Sequence, residues 1–300
     1  MLVYDEIAKN KRKSFFLLII FSIFTVFICY FIGSAWFGSG LGGLIFGFVI
    51  SLTMSLVSFY TGDKVVLSSV GAREISRDEY PMLYNVTEEL CIAAGIPMPK
   101  IYVVPDPSPN AFATGRNLEN AKIAVNEGLL KILNREELQG VIAHELSHIK
   151  NNDIMFATIV SVLLGMIIIL STVFRRTFWW SGRDRDREGG GVILVLIGLL
   201  LAILAPIAAK LIQLSLSRSR EYLADASAAL ITRNPLGLAN ALEKIYGTKV
   251  ISKTSNDAVA PLYIAEPFKG IDVKTLFSTH PPIEERIKRL KEMAYVRQSS

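Results

Sequence analysis

A run of 49 consecutive residues, positions 14–62, carries no charged side chain, and this feature constrains the fold more than any other. Two further uncharged stretches, residues 154–174 and 189–209, are 21 residues long each. A bilayer core of about 30 Å is crossed by roughly 20 helical residues, so these lengths predict membrane-spanning helices. The composition, which is 51% hydrophobic, agrees with an integral membrane protein and excludes a disordered chain.

The uncharged stretches predict four spans. The long run divides at the glycine- and serine-rich sequence of residues 33–40, which gives spans near 15–32 and 41–60. The third span is expected at 154–174, and the fourth begins near Gly191. We therefore predict four transmembrane helices arranged as two hairpins.

Basic residues indicate how these hairpins are oriented. A cluster of four precedes the first span, and positive charge favours the cytoplasmic side: Lys9, Lys11, Arg12 and Lys13. The predicted loop over residues 175–188 would then lie outside although it carries five arginines, which opposes the same rule. That N-terminal cluster and the flanking residues Lys64, Lys150, Arg218 and Arg220 together outnumber the five arginines of the loop. We therefore expect a multi-pass protein of the cell membrane with both termini in the cytoplasm.

The charge and cysteine content exclude other classes. The net charge of +5 comes with no basic stripe interleaved with stacking aromatic residues, so a nucleic-acid partner is not expected. The two cysteines, Cys29 and Cys91, have neither the spacing of a metal site nor that of a plausible disulfide. This usage is typical of a reduced compartment.

The spans divide the chain into five parts. Residues 1–13 form a cytoplasmic N-terminal segment, 14–62 the first hairpin, and 63–153 the first part of a polar domain. Residues 154–217 form the second hairpin and 218–300 the second part of the same domain.

The polar parts predict a mixture of helices and a small sheet. Asn134 and Glu137 have the spacing of a capping box, so a helix is expected from that asparagine through about Asn151. Short β-branched segments bounded by turn residues predict strands. The predicted strands are 100–104, 111–114 and 122–125, and the other predicted helices are 79–94, 210–231, 235–246 and 281–293. The fold class is therefore α+β, combined with the four spans.

Two of the three histidines form the sequence His144-Glu145-Leu146-Ser147-His148. Residues four apart on a helix differ by about 40° in direction, so both imidazoles face one point and suit a single Zn²⁺ ion. Glu145 lies about 100° round the helix and can reach a metal-bound water instead of the metal. Two surface histidines on an amphipathic helix would share this spacing, but a zinc site is the stronger interpretation because a third ligand is available.

The third ligand is predicted in the sequence SRSREYLAD, residues 217–225. Glu221 and Asp225 share a helical face, so Glu221 can bind the metal while Asp225 accepts the N–H of a ligating histidine. Two predicted spans separate His148 from Glu221, and an even number of crossings returns the chain to the same compartment. By itself this segment would be read as an ordinary charged surface helix.

Two zinc-binding histidines with a glutamate between them are typical of metalloproteases, so the first hypothesis is a membrane zinc protease, and two other functions remain as alternatives. One is an intramembrane-cleaving metalloprotease, which charged residues such as Arg135 and Lys150 around the histidine motif disfavour. The other is a transporter or scaffold with an incidental metal motif, which usually places ionisable residues inside its spans. Here only Lys210 falls in a predicted span.

The chain resembles the HtpX-type membrane metallopeptidases, which are relatives of the CAAX prenyl protease. The resemblance covers nearly the whole chain, and its motifs are GIPMPKIYVVPDPSPNAFATGR, LQGVIAHELSHIKNND, SRSREYLADASAA and THPPIEERI. It implies a zinc endopeptidase of the gluzincin type with one Zn²⁺ per subunit and with His144, His148 and Glu221 as ligands. It also implies Glu145 as the catalytic residue, a cytoplasmic active site, and polypeptide substrates that include damaged membrane proteins.

Several further residues are candidates for supporting roles. His280 is the candidate hydrogen-bond donor to the oxyanion, the negatively charged oxygen that forms when water attacks the peptide carbonyl. The alternative is that His280 only precedes the proline with which a helix starts. Arg218 or Arg220 could serve instead, or could orient Glu221 or bind lipid headgroups. Asp153 either supports the site or marks the membrane boundary. The segment expected to pair with an extended substrate, unless it is an internal strand, is Asn110, Ala111, Phe112, Ala113, Thr114 and Gly115.

Overall fold

The computed structural model describes most of the polar domain and three apolar helices. The described residues are 12–23, 25–27, 29–30, 39–181, 218–248, 250, 252–253, 258–265 and 281–298. The predicted fourth span and His280 lie outside them.

The first apolar helices pack against each other as an antiparallel pair. Helix α1 comprises the described helical residues between positions 12 and 30, and α2 is Gly40–Ser69. The hydroxyls of Ser22 and Ser55 lie 3.2 Å apart across the pair. A Cβ on Gly47 would lie 2.6 Å from the Cβ of Cys29, so the missing side chain lets the two helices approach closely. The two helices thus pack as the predicted first hairpin requires, although residues 31–38 between them lie outside the described residues.

Helix α2 is long and apolar enough to cross a membrane, with only 11% of its most apolar window buried. Within the described residues it is the one helix that meets this criterion. A second crossing is obtained only if Arg135–Lys150 and Asp153–Ile169 are taken as a single broken span, and these two helices meet at 89°. Four spans in two hairpins are therefore not confirmed.

A four-stranded sheet lies next to the apolar helices. Its strands are β1 (Arg73–Glu74), β2 (Lys100–Val104), β3 (Ala111–Thr114) and β4 (Lys122–Asn126). Their order is β1-β2-β4-β3, with β2 and β4 parallel and the other two pairs antiparallel. Strand β3 is thus at one end of the sheet.

The polar domain contains six further helices among the described residues. They are α3 (Pro81–Ala94), α4 (Glu127–Ile132), α5 (Arg135–Lys150), α7 (Arg218–Thr232), α8 (Pro235–Gly247) and α9 (Ile283–Gln298), while α6 (Asp153–Ser181) returns to the apolar helices. The mixed fold of helices and a small sheet is confirmed, although the sequence analysis missed the short β1 and α4.

Local signals fix where the helices of the domain begin and end. The Asn134 side chain accepts from the Glu137 N–H at 2.9 Å and the Glu137 carboxylate accepts from the Asn134 N–H at 2.9 Å, so the predicted capping box is confirmed. Gly95 ends α3 in the left-handed conformation at φ 67°, which glycine adopts without strain. The helix that carries the histidine motif is therefore held at its start by its own sequence.

A sharp bend after the histidine motif positions the next helix. Asn152 has φ 56°, a left-handed conformation that asparagine tolerates better than most residues, and α5 and α6 meet there at 89°. The bend brings Asp153, the first residue of α6, back beside α5. Helix α6 then continues to Ser181, so the prediction that a loop begins at residue 175 is wrong by about two turns.

Helix α5 packs so closely on the start of α8 that Gly140 cannot carry a side chain. A Cβ at this position would lie 2.5 Å from the Leu238 nitrogen and 2.6 Å from its Cα. These are backbone atoms, so they cannot move aside as the end of a flexible side chain can.

We expect Gly140→Ala to lower the free energy of unfolding by about 1–3 kcal/mol, because the added methyl group separates α5 from α8. Gly247→Ala is the matched control, since a Cβ at Gly247 meets nothing within 4 Å. Thermal unfolding of the purified variants checks this. Equal melting temperatures for both variants would contradict the close packing of the two helices.

Candidate metal centre

The two histidines of the HExxH sequence face the same point in the folded domain. His144 and His148 lie one turn apart on α5, and their Nε2 atoms are 3.2 Å from each other. Their rings are nearly perpendicular, with centroids 4.8 Å apart. The predicted convergence of the two imidazoles is therefore present in the structure.

Helix α7 brings Glu221 to the same point from 73 residues further along the chain. Its carboxylate oxygens lie 3.7 Å from the His144 Nε2 and 3.5 Å from the His148 Nε2. One ligand atom from each of the three side chains lies within 4.8 Å of the other two. The three predicted ligands form a group that could hold a metal ion.

A carboxylate supports each histidine on the side away from this centre. The His144 Nδ1 lies 3.0 Å from an Asp225 oxygen, and the His148 Nδ1 lies 3.0 Å from an Asp153 oxygen. Because the Nδ1 atoms donate to these carboxylates, the lone pairs of both Nε2 atoms point at the centre. Asp225 thus lies where the sequence placed it, and Asp153 contacts a histidine of the site.

Arg286 on α9 joins this group, and the sequence analysis did not single it out. Its Nε and Nη2 donate to the Asp225 carboxylate at 2.9 and 2.7 Å, and its Nη1 lies 3.6 Å from Glu221. The arginine is 1% exposed. A buried guanidinium held by both oxygens of a buried carboxylate fixes α9 to α7.

Arg220 and Arg218 have different positions although they are close in sequence. Arg220 lies 3.6 Å from Asp153 and 5.6 Å from the centre of the Phe156 ring, whereas Arg218 is exposed. The structure therefore brings one of the two predicted arginines to the site.

The charges of the group shift several pKa values. Burial lowers the pKa of His144, but Asp225 and Glu221 outweigh burial and raise it to about 9. Burial would raise the pKa of Asp225, yet Arg286 and His144 hold it at about 2. Burial raises the pKa of Glu145 above its usual value. For Arg286, the neighbouring carboxylates outweigh burial and raise the pKa.

The donor set and its charge fit a divalent cation. Two imidazole nitrogens and one carboxylate are ligands that zinc prefers, and their lone pairs repel one another unless a cation lies between them. Around this point the described residues bring four carboxylates and two guanidinium groups, so two negative charges remain when all are ionised. The acidic members are Glu145, Asp153, Glu221 and Asp225, and the basic members are Arg220 and Arg286.

Glu145 lies beside this group in a small cavity. The cavity has a volume of about 50 Å³, and its polar wall includes both histidines, Glu145 and Glu221. Ala113 of β3 also lines this cavity. A water molecule and a backbone carbonyl could therefore meet next to the carboxylate of Glu145.

Strand β3 is an edge strand in the order of the sheet, but its outer edge is partly occupied. The Asn110 oxygen accepts from the Asn126 N–H on β4, so by the alternation of an antiparallel pair Ala111 and Ala113 direct their backbone groups outward. The Ala111 oxygen accepts from the Ile264 N–H at 3.0 Å. The Gly115 N–H donates to the Thr158 hydroxyl at 3.2 Å. Between these two bonds lies Ala113, beside the cavity.

A helix with two converging histidines and an adjacent glutamate, a carboxylate from a second helix, and an edge strand beside the cavity together define a metallopeptidase. Comparisons with known proteins agree with this class. Residues 78–294 match the family described as Peptidase family M48. The chain belongs to peptidase family M48 and, within it, to the HtpX-type proteases.

The relatives that support this assignment match along almost their whole length. A Protease HtpX homolog of Dictyoglomus turgidum is 50% identical over 97% of this chain and 94% of its own. Homologs from Caldanaerobacter subterraneus subsp. tengcongensis and Streptococcus gordonii are 46% and 44% identical over 97% of this chain and 98% and 100% of their own. A crystal structure of S. mikatae Ste24p aligns with 96% of this chain and 67% of its own at 20% identity, with a TM-score of 0.49.

Arg286 could have been found from the pattern of α9. Positions 283, 286, 287 and 290 lie on one helical face, and three of them are apolar. Arg286 is the charged residue on that face, and a charge on an apolar face signals a buried partner.

We expect Arg286→Met to lower the free energy of unfolding by about 3 kcal/mol or more, because the Asp225 carboxylate then stays buried without its guanidinium. Lys288→Met is the control, since Lys288 is 68% exposed on the same helix and should change stability by less than about 1 kcal/mol. Unfolding in the presence of a chelator separates this effect from metal binding. A small effect at Arg286 would exclude the pair as a main support of the site.

Proposed function

We propose that this metallopeptidase is a zinc-dependent endopeptidase that cuts polypeptides at the cytoplasmic surface of the cell membrane, including damaged membrane proteins. The observation that carries the proposal is the group of His144, His148 and Glu221, with ligand atoms within 4.8 Å of one another. The adjacent carboxylate of Glu145 and the outward-facing backbone of Ala113 complete the parts that peptide hydrolysis needs.

The metal site is proposed for one Zn²⁺ ion per chain, held by His144, His148 and Glu221. When bound, zinc acts as a Lewis acid that lowers the pKa of water and stabilises negative charge on a carbonyl oxygen. Asp225 and Asp153 keep the two imidazoles in the orientation and tautomer that binding requires, as their 3.0 Å contacts indicate.

Glu145 is proposed as the general base and then the general acid. Its position in the cavity lets it accept a proton from the attacking water and pass that proton to the leaving amine. Burial raises the pKa of Glu145, and a carboxylate with a higher pKa accepts a proton more readily. The raised pKa therefore favours a role in which Glu145 first accepts and then returns a proton.

The supporting roles divide between two arginines and one histidine. Arg286 compensates Asp225 and Glu221, and Arg220 is proposed to hold Asp153 in place against the His148 ring. His280, outside the described residues, remains the proposed donor to the oxyanion. Arg218 is exposed, so we assign its proposed role to the surface, where it could contact lipid headgroups.

The substrate is proposed to pair with the segment Asn110–Gly115 as an added strand. Ala113 directs its backbone N–H and C=O outward beside the cavity, so it is the residue that can align the peptide to be cut. Backbone pairing reads few side chains, which suits a protease with many substrates.

The location in the membrane rests on the apolar helices and on the position of the charges. Large apolar side chains along α1 and α2 are exposed, for example Phe15 at 66% and Leu41 at 70%, as expected for contact with lipid. Arg135 at the start of α5 pairs with Glu89 at the surface, which disfavours an HExxH helix within the bilayer. Four spans, with the site on the cytoplasmic side, remain part of the proposal.

Purified protein loaded with zinc should cleave casein, and Glu145→Ala should lose this activity while it retains about one zinc per chain, because Glu145 moves the proton and does not bind the ion. Glu136→Ala, at an exposed glutamate of the same helix, is the control and should remain active. Undiminished cleavage by Glu145→Ala would remove this residue from the mechanism.

Glu221→Gln should behave differently from Glu145→Ala. The neutral amide is a weaker ligand, so we expect zinc content after dialysis to fall together with turnover. Metal analysis and casein cleavage on the same samples test this. Full zinc retention by Glu221→Gln would mean that another group supplies the third ligand.

A further inference from the structure

Residues 258–265, called the strap here, contain the 3₁₀ helix Ala260–Leu262 and then meet the outer edge of β3 through Ile264 and Ala265. The Ile264 N–H donates to the Ala111 oxygen at 3.0 Å. The Asn110 side-chain NH₂ donates to the Ala265 oxygen at 2.8 Å, and the Asn110 side-chain oxygen accepts from the Ala265 N–H at 3.3 Å. Ile264 pairs with Ala111 and the next residue, Ala265, pairs with the preceding residue of the other segment, Asn110. The strap therefore runs antiparallel to β3. Tyr263, with φ −68° and ψ 147°, is extended.

The strap also forms one wall of the active-site cavity. Pro261, Leu262, Tyr263 and Ile264 line that cavity together with the metal-binding group. The Tyr263 ring packs on Phe112 of β3 with centroids 5.2 Å apart and is fully buried. The end of the strap thus occupies the place beside Asn110 and Ala111 where a substrate strand would lie, and the 3₁₀ helix before it covers the cavity next to Ala113.

We propose that the strap is a built-in competitor for the edge of β3, so that the enzyme accepts extended polypeptide segments whose backbone and apolar side chains replace those of Leu262, Tyr263 and Ile264. The proposal rests on the proposed peptidase function and names the substrate class of the same site. A folded protein cannot offer such a segment, whereas an unfolded apolar segment can.

The hydrogen bonds of the strap define what the substrate must replace. Outward-facing groups of β3 are bonded at Ala111 and at Gly115, which leaves Ala113 between them. Arg286 donates to the Ile264 oxygen at 3.2 Å, so the strap also contacts the residue that compensates Asp225. Release of the strap exposes the Ala111 oxygen and the Asn110 side chain, whereas Gly115 stays bonded to Thr158, and a substrate strand that takes the same partners restores the lost bonds.

The side chains of the strap define the chemistry of that replacement. Leu262, Tyr263 and Ile264 are between 0% and 9% exposed. A polar segment would leave this apolar surface uncovered, and apolar contacts of this size discriminate by about 10-fold or more for each side chain. The preferred substrate is therefore apolar at the positions that face Phe112 and the cavity.

A second anchor holds the chain just before the strap without touching the active site. The buried Asp106 carboxylate accepts from the Ser252 hydroxyl and from the Lys253 N–H, both at 2.8 Å. Its other oxygen accepts from the Ser108 N–H at 2.8 Å. The loop that leads into β3 therefore also fixes the approach to the strap.

Ile264→Pro tests the proposal because proline removes the N–H that bonds Ala111. The extended backbone of Tyr263 already suits a residue that precedes proline. Ile264→Ala is the matched reference, since it loses the side chain and keeps the N–H. Zinc-loaded full-length proteins are compared for kcat/KM on casein and on two short fluorogenic peptides that differ only in an apolar or a polar central triplet.

We expect Ile264→Pro to exceed Ile264→Ala by about 2- to 10-fold in kcat/KM, the range over which one backbone hydrogen bond shifts a closed–open equilibrium. The wild type should prefer the apolar peptide by roughly 10-fold or more. Asn117→Ala, which removes a side-chain cap in a different loop, should match the wild type.

Hydrogen exchange shows whether substrate displaces the strap from β3, even if Ile264→Pro does not fold. In zinc-loaded Glu145→Gln, the Ile264 amide should be protected and should lose protection when casein or the apolar peptide binds. Protection that persists with bound substrate, or equal rates for the two Ile264 variants, would overturn the proposal. If the wild type cleaves neither casein nor peptide, the proposed peptidase function fails instead.

Discussion

The buried ion pair between Arg286 and Asp225 is the interaction on which the rest of the site depends. Asp225 can stay ionised in the interior only because the guanidinium binds both of its oxygens. The ionised carboxylate in turn fixes His144 by its Nδ1 at 3.0 Å, which directs the other nitrogen toward His148 and Glu221. Three helices that are far apart in sequence, α5, α7 and α9, are thereby joined through one chain of charged contacts.

The metallopeptidase domain is also tied directly to the apolar helices. Asp63, at the end of the uncharged run in α2, forms a partly buried ion pair with Lys122 of β4. Thr158 of α6 shares a hydrogen bond of 2.8 Å with Thr114 of β3. Because the edge strand is held by the helix that follows the histidine motif, the strand and the metal-binding group keep a fixed relation to the apolar segments.

The same edge strand gives the protease a means to restrict its own activity. An exposed strand edge pairs with any extended chain, which is a liability for a protein that cuts peptide bonds. Here Ile264 bonds Ala111 from within the chain, so an incoming segment competes with a contact that already exists. The free energy of substrate binding then depends on how well the substrate replaces the contacts of the strap. The affinities of different substrates therefore differ more than they would if the backbone alone were paired.

The sequence by itself determined the features that arise within a few residues of each other. The capping box of α5, the left-handed end of α3 at Gly95, and the facing positions of His144 and His148 follow from the geometry of one helix, which does not depend on the remainder of the chain. Glu221 was also predicted, because a catalytic zinc site needs a third ligand and the sequence offers a suitable helix.

The tertiary structure alone decided which distant groups support that site. The carboxylate partners of Arg286, Asp225 and Glu221, lie 61 residues away or more, and the bond from Ile264 to the edge of β3 crosses 153 residues. No local spacing encodes such contacts, since they depend on how whole helices pack. The bend at Asn152 and the occupied edge of β3 are of this kind, because each is set by the surface against which the segment folds.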